Sequence, residues 1–161
     1  MEGKNQNNGK IADRQIVIER IINAPRKLVF EAWTDPKHLE QWWGPNGFST
    51  TTREFDFKAG GVWRHVMHGP DGTDYPNEII YEEIVRPERI TYTHGGGEDG
   101  PDDAQFYAEI TFEDLGNQTK LTMRSTFATP AERDHVVRIY GAIEGGKQTL
   151  GRLDDYVASM N

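Results

Sequence analysis

The sequence contains no cysteine. Disulfides, thiolate nucleophiles, zinc fingers and iron–sulfur clusters are therefore excluded. Long apolar runs are lacking too: no stretch approaches the roughly 20 residues that cross a bilayer as a helix. The opening MEGKNQNNGK has no apolar segment of the kind a secretory signal carries, so membrane insertion is not expected. Positive charge is in short supply. Lys and Arg total 18 against 26 Asp and Glu, a formal net charge of −8 over 161 residues. A net-acidic surface repels phosphate backbones, so no nucleic-acid partner is expected. Signatures of catalysis are scarce: there is no G-x-S-x-G elbow, no H-E-x-x-H and no Walker or Rossmann glycine pattern. The expectation is a cytoplasmic protein without a cofactor or metal.

What is present is a large aromatic complement of four Trp, six Tyr and seven Phe. A disordered chain does not carry so many large apolar rings, and the length suits one domain. Residues 1–13, rich in Asn, Gly and Lys, are expected to be a flexible tail. Residues 14–161 show no repeat, linker or composition break and are expected to form one domain.

Hydrophobic periodicity outlines the elements. Arg14–Ile22 alternates as a strand, with Ile16, Ile18 and Ile22 on one face and Val17 and Ile21 on the other, so both faces are expected to be partly covered. Two short helices follow, one after Ala24-Pro25 and one capped by Asp35 ahead of Pro36. Gly44-Pro45-Asn46-Gly47 marks a turn. The middle of the chain has the pattern of an antiparallel meander. Phe55 and Phe57 alternate ahead of a Gly60-Gly61 turn. Trp63, His65 and Met67 share a face, and Gly69-Pro70-Asp71-Gly72 turns into a strand over Glu78–Val85. Ile90, Tyr92 and His94 share the next face, and Gly95–Asp103 is a polar loop expected to be mobile. Phe106, Ala108, Ile110 and Phe112 then alternate with polar residues, as do Leu121, Met123 and Phe127, the pattern of a sheet with one wet side.

Thr129-Pro130-Ala131-Glu132 is a capping box. Val136, Ile139, Ile143, Gly146, Leu150, Leu153 and Val157 then draw one apolar stripe at three/four spacing, predicting a single long helix. The one-sided sheet is its natural partner. The expected fold is α+β, a curved antiparallel sheet wrapped around the long C-terminal helix, with two short helices closing one end.

That order of elements resembles the helix-grip fold of the START-like (SRPBCC) superfamily. Specific motifs resemble one family within it: Asn23-Ala24-Pro25; Thr34-Asp35-Pro36-Lys37-His38-Leu39 leading into Trp42-Trp43-Gly44-Pro45; Gly60-Gly61; Gly69-Pro70-Asp71-Gly72; and Tyr140 through Leu150. This is the family named for the C-terminal domain of the activator of the ninety-kilodalton heat-shock protein ATPase, and the similarity covers nearly everything after Arg14. It is to stand-alone members, without the separate N-terminal domain of the co-chaperone. The resemblance implies an interior cavity between sheet and helix for an apolar or amphipathic small molecule, lipid- or polyketide-like. Since one fold hosts many functions, two alternatives stand beside that binder. One is an interaction module acting on a chaperone or another protein. The other is a small cyclase or hydrolase on an aromatic or polyketide-like substrate. On any of these readings the chain is expected to be a monomer or homodimer.

The inward faces nominate Trp33, Trp43, Phe55, Trp63, His65, Met67, Tyr81, Tyr92, His94, Phe106, Met123, Tyr140, Ile143, Glu144, Gly146, Lys147 and Leu150 as cavity residues. His65, His94 and Glu144 are the candidates for acid–base work, with Glu144 near enough on the helix to pair with His65 or Arg64. Each nomination has a simpler alternative. The tryptophans serve equally as core, and a buried histidine as a satisfied core residue. Gly141, Gly145 and Gly146 inside a helix cost about 0.5–1 kcal/mol each relative to Ala. Either tight packing against the sheet or room for a ligand would offset that cost. His65 and His68, three apart on a strand, point to opposite faces and cannot share a metal.

Overall fold

A computed structural model describes residues 11–97 and 105–160. Strand β1 (Gln15–Ile22) leads into helices α1 (Arg26–Glu31) and α2 (Pro36–Trp42). Six strands follow: β2 (Ser49–Phe55), β3 (Val62–His68), β4 (Asp74–Val85), β5 (Arg89–Gly95), β6 (Phe106–Asp114) and β7 (Thr119–Thr126). Helices α3 (Pro130–Tyr140) and α4 (Ala142–Met160) end the chain. The strands form one antiparallel sheet in the order β1-β7-β6-β5-β4-β3-β2. The first strand thus closes against the last, and the remainder is a simple meander. Only a connection as long as the two short helices lets β1 and β2 occupy opposite edges.

Register places the core. Ile18 pairs with Met123, Ile110 with Met123, Tyr92 with Ala108, and Tyr81 with Tyr92. These residues continue one face across five strands, because cross-strand partners point the same way. Helix α4 lies on that face through Leu150, Leu153 and Val157, all fully buried. Asp154 ties it to β1, accepting from Arg20 Nε at 3.2 Å and from the Asn23 backbone N–H at 3.0 Å. This is the α+β helix-grip architecture. Two bulges, at Thr52/Glu54 and Tyr81/Glu83, interrupt the register of β2 and β4; bulges of this kind bend and twist strands.

Several expectations need correction. The outer face of β1 is not covered: Val17 and Ile21 are 47% and 46% exposed. Strand β4 begins at Asp74, not Glu78; Pro76, a poor strand former, concealed the extension. The C-terminal helix is not continuous. It breaks at Gly141, which adopts the left-handed conformation at φ 60°, a backbone state that glycine enters without a Cβ penalty. The apolar stripe therefore turns a corner, and Ile139 is 58% exposed rather than packed. The capping prediction at Thr129 holds, its side chain accepting from the Glu132 backbone N–H at 3.1 Å. Asp35 likewise caps α2 through the Lys37 N–H at 2.8 Å. Of the expected tail, residues 11–13 form a helical turn. Most of the expected mobile loop, residues 98–103, lies outside the described residues.

Candidate functional site

The elbow between α3 and α4 holds the end of the helical layer off the sheet, and a pocket of about 390 Å³ lies beneath it. The sheet contributes Ile16 and Ile18 from β1, Met67 from β3, Tyr92 and His94 from β5, Phe106 from β6, and Met123 and Ser125 from β7. Trp43, Gly44, Pro45 and Phe48 form one wall. Val136, Ile139, Tyr140, Gly145, Gly146 and Thr149 form the helical side. Among the described lining residues there is no Asp, Glu, Lys or Arg. A volume of this size falls at the small end of ligand sites, which run to about 300–1,000 Å³.

Of the residues nominated from sequence, Trp43, Met67, Tyr92, His94, Phe106, Met123, Tyr140 and Gly146 line the pocket. Trp33, Trp63, His65, Tyr81 and Leu150 do not; they are buried in the core beside it. Phe55 and Ile143 are half-buried and pack against that core. Glu144 and Lys147 are exposed on α4, away from the pocket. The expected pairing of Glu144 with Arg64 does not form: Arg64 bonds Glu54 and Glu78 on the outer face instead. Nor does Glu144 join the two histidines, and no cluster of metal-ligating side chains occurs among the described residues.

The tryptophans make a continuous aromatic wall. Ring centroids of Trp33 and Trp42 lie 4.8 Å apart, and those of Trp43 and Trp63 4.9 Å apart. Trp42 faces the core and donates its Nε1–H to the Ala32 carbonyl at 3.1 Å. Its neighbour Trp43 faces the pocket. His65 stacks on Trp63 at 3.8 Å and meets Trp43 edge-on. It is 1% exposed and neither ring nitrogen has a hydrogen-bond partner. Burial, and secondly the neighbouring His94, pull its pKa down to about 3; a backbone contact with Trp63, short of hydrogen-bond geometry, opposes this weakly. Burial lowers His94 to about 4. His94 is only half-buried by surface, since part of its ring borders the open pocket, yet it is enclosed by protein on its other sides. Both imidazoles are therefore neutral at pH 7. Burial likewise raises the Tyr92 phenol well above its ordinary range. The site is uncharged throughout its described lining.

Sequence reasoning missed Phe48, Tyr75, Asn77, Phe127 and the glycine-bearing elbow. Tyr75 and Asn77 carried a usable signal, for the period-two phase of Ile79 and Tyr81 runs back to both. A second constellation also went unnoticed. Thr51 Oγ1 lies 2.8 Å from His68 Nε2, and His68 Nδ1 lies 2.7 Å from Asp74 Oδ1. The order is that of a hydroxyl, a base and an orienting carboxylate. It stands on the outer sheet face, away from the pocket, so nothing aligns a substrate with it.

An antiparallel sheet gripping a C-terminal helix, with an apolar pocket at the helical elbow, defines a helix-grip protein of the START-like class. Within that class, the chain belongs to the family described as activator of Hsp90 ATPase homolog 1-like protein, which matches residues 23–158. Solved structures are similar over most of their length. A protein from Arthrobacter aurescens superposes with a TM-score of 0.85 at 28% identity, covering 92% of this chain and 88% of that one. A Mycobacterium smegmatis protein gives 0.81 at 25% identity, covering 90% and 91%. One from Chromobacterium violaceum gives 0.77 at 26%, covering 89% and 96%. Among curated proteins, none matches the chain.

Proposed function

We propose that this protein binds a hydrophobic or amphipathic small molecule in the pocket beneath the α3–α4 elbow, without transforming it. One observation carries the reading: an apolar pocket of about 390 Å³, edged by a few neutral polar groups, lies beside a core of buried side chains. Apolar walls with a few placed polar groups are the usual makeup of ligand sites. General acid–base catalysis gains no support from the lining. Burial lowers its histidine to about 4, which leaves it a weak base, and among the described lining residues no carboxylate stands beside it.

Native mass spectrometry of the purified protein, set against the denatured mass, tests this. The expected result is an adduct of a few hundred daltons that disappears on denaturation and is lost in Met123→Trp, which fills the pocket. A clean apo mass, together with no thermal shift from a panel of apolar ligands, overturns the reading.

A further inference from the structure

The nitrogen that His94 presents to the pocket defines what a ligand must offer. Its Nδ1 is sealed from solvent and has no partner. Its ring lies nearly parallel to Phe106, 4.6 Å away, which holds it in place. His94 lines the pocket, so it meets a ligand through the Nε2 side. In a neutral imidazole one nitrogen carries the proton and the other a lone pair. A buried N–H without an acceptor is rarer than a buried acceptor without a donor. The favoured tautomer therefore leaves the lone pair on the sealed Nδ1 and the proton on Nε2, facing the pocket.

The surroundings set the rest of the ligand. Trp43, Phe48, Tyr92, Phe106 and Phe127 provide ring faces and edges, which favour flat aromatic bodies. No charged side chain among the described residues lines the pocket to pair with an ion, and an unpaired buried charge is strongly disfavoured. We propose that the pocket selects uncharged, ring-bearing molecules that place an acceptor oxygen, such as a carbonyl, on His94 Nε2–H. This rests on the small-molecule reading above and narrows it.

A matched series tests the inference: 2-acetylnaphthalene, 2-ethylnaphthalene, 2-naphthoate and 2-(aminomethyl)naphthalene, titrated calorimetrically at pH 7.5 into the full chain. The ketone is expected to bind about 3–10-fold more tightly than the ethyl compound, the worth of one net hydrogen bond. The two charged probes are expected to bind at least about tenfold more weakly than the ketone. In His94→Phe, which keeps a ring against Phe106, the ketone falls to the affinity of the ethyl compound, whose own affinity stays within about twofold. Long-range proton–nitrogen NMR of the wild type supplies a check independent of that variant. It should show His94 protonated at Nε2 in the free protein and a shift of that nitrogen with the ketone alone. Binding of all four probes alike, persistence of the ketone preference in His94→Phe, or a proton on Nδ1 overturns the inference while leaving pocket binding intact. Failure of every probe to bind at millimolar concentration overturns both.

Discussion

Gly146 and Ile18 meet closer than a side chain on the helix would permit. A Cβ built on Gly146 would lie 2.3 Å from Ile18 Cδ1. Both residues line the pocket, so this contact brings α4 onto β1 and sets the pocket's floor. The obstructing atom is the end of a flexible side chain and can swing aside. Gly146→Ala is expected to change stability by less than about 1 kcal/mol, the gain in helix preference offsetting the displaced methyl. Gly146→Val is expected to cost about 1–3 kcal/mol through overpacking. Urea titration of both variants decides it: a Val variant as stable as wild type would show that helix and strand are not in closed contact there.

Gly141 serves a different purpose. Apart from its own local backbone and chain neighbours, nothing lies within 4 Å of its would-be Cβ, yet its φ is 60°. In a continuous helix Gly→Ala would stabilise by about 0.5–1 kcal/mol. At a left-handed cap it is expected to destabilise by about 1–2 kcal/mol. Thermal and urea unfolding of Gly141→Ala therefore separate an elbow from a straight helix by the sign of one number.

This elbow marks where the sequence stopped being legible. Alternation along β6 and β7 was clean because one face meets the core and the other water, and the same logic placed Tyr92 and His94 correctly on β5. The three/four spacing from Val136 to Val157 continues unbroken across Gly141, so spacing alone could not distinguish a helical glycine from a helix cap. Phase assigns a face but not a depth. His65 and His94 share the inner face, linked through the pairs His65–Asn77 and Ile79–His94. Only His94 reaches the pocket, because Trp43 and Trp63 pack against His65. Glu144 was nominated from its nearness to the stripe, and one helical step of 100° was enough to turn it to solvent.

Arg152 locks the pocket wall. Its Nη1 donates to the carbonyls of Gly44 at 2.8 Å, Pro45 at 3.0 Å and Trp43 at 3.3 Å, and Nη2 reaches that of Gln41 at 3.4 Å. A cation at the carbonyl end of α2 is also favoured by the helix dipole. Removing charge-assisted bonds of this kind costs about 1.5–3 kcal/mol. Arg152→Ala is expected to lose about that much in urea titrations and to weaken pocket ligands, since Trp43, Gly44 and Pro45 line the site. Arg152→Lys should recover less than half, because an ammonium cannot fan out over the same carbonyls. Full rescue by Lys would show that charge rather than geometry holds the wall.

The two inward histidines predict an acid sensitivity with a defined window. Their folded pKa values, about 3 for His65 and about 4 for His94, lie below the ordinary 6.5. Above pH 6.5 both folded and unfolded chains hold them neutral, and they cost nothing. Below it the unfolded chain takes up protons that the folded chain refuses, so stability drops as pH falls from 6.5 toward 4 and 3. Each group contributes about 1.4 kcal/mol per pH unit in that interval. Between pH 6.5, where the unfolded histidines are already half protonated, and pH 5, before most carboxylates titrate, the pair should remove about 3 kcal/mol. His94→Phe should roughly halve the slope of unfolding free energy against pH, since one of the two proton-linked sites is gone. A wild-type slope near zero over this window would mean that water reaches both rings in the folded protein, and would count against the sealed Nδ1 on which the ligand's orientation depends.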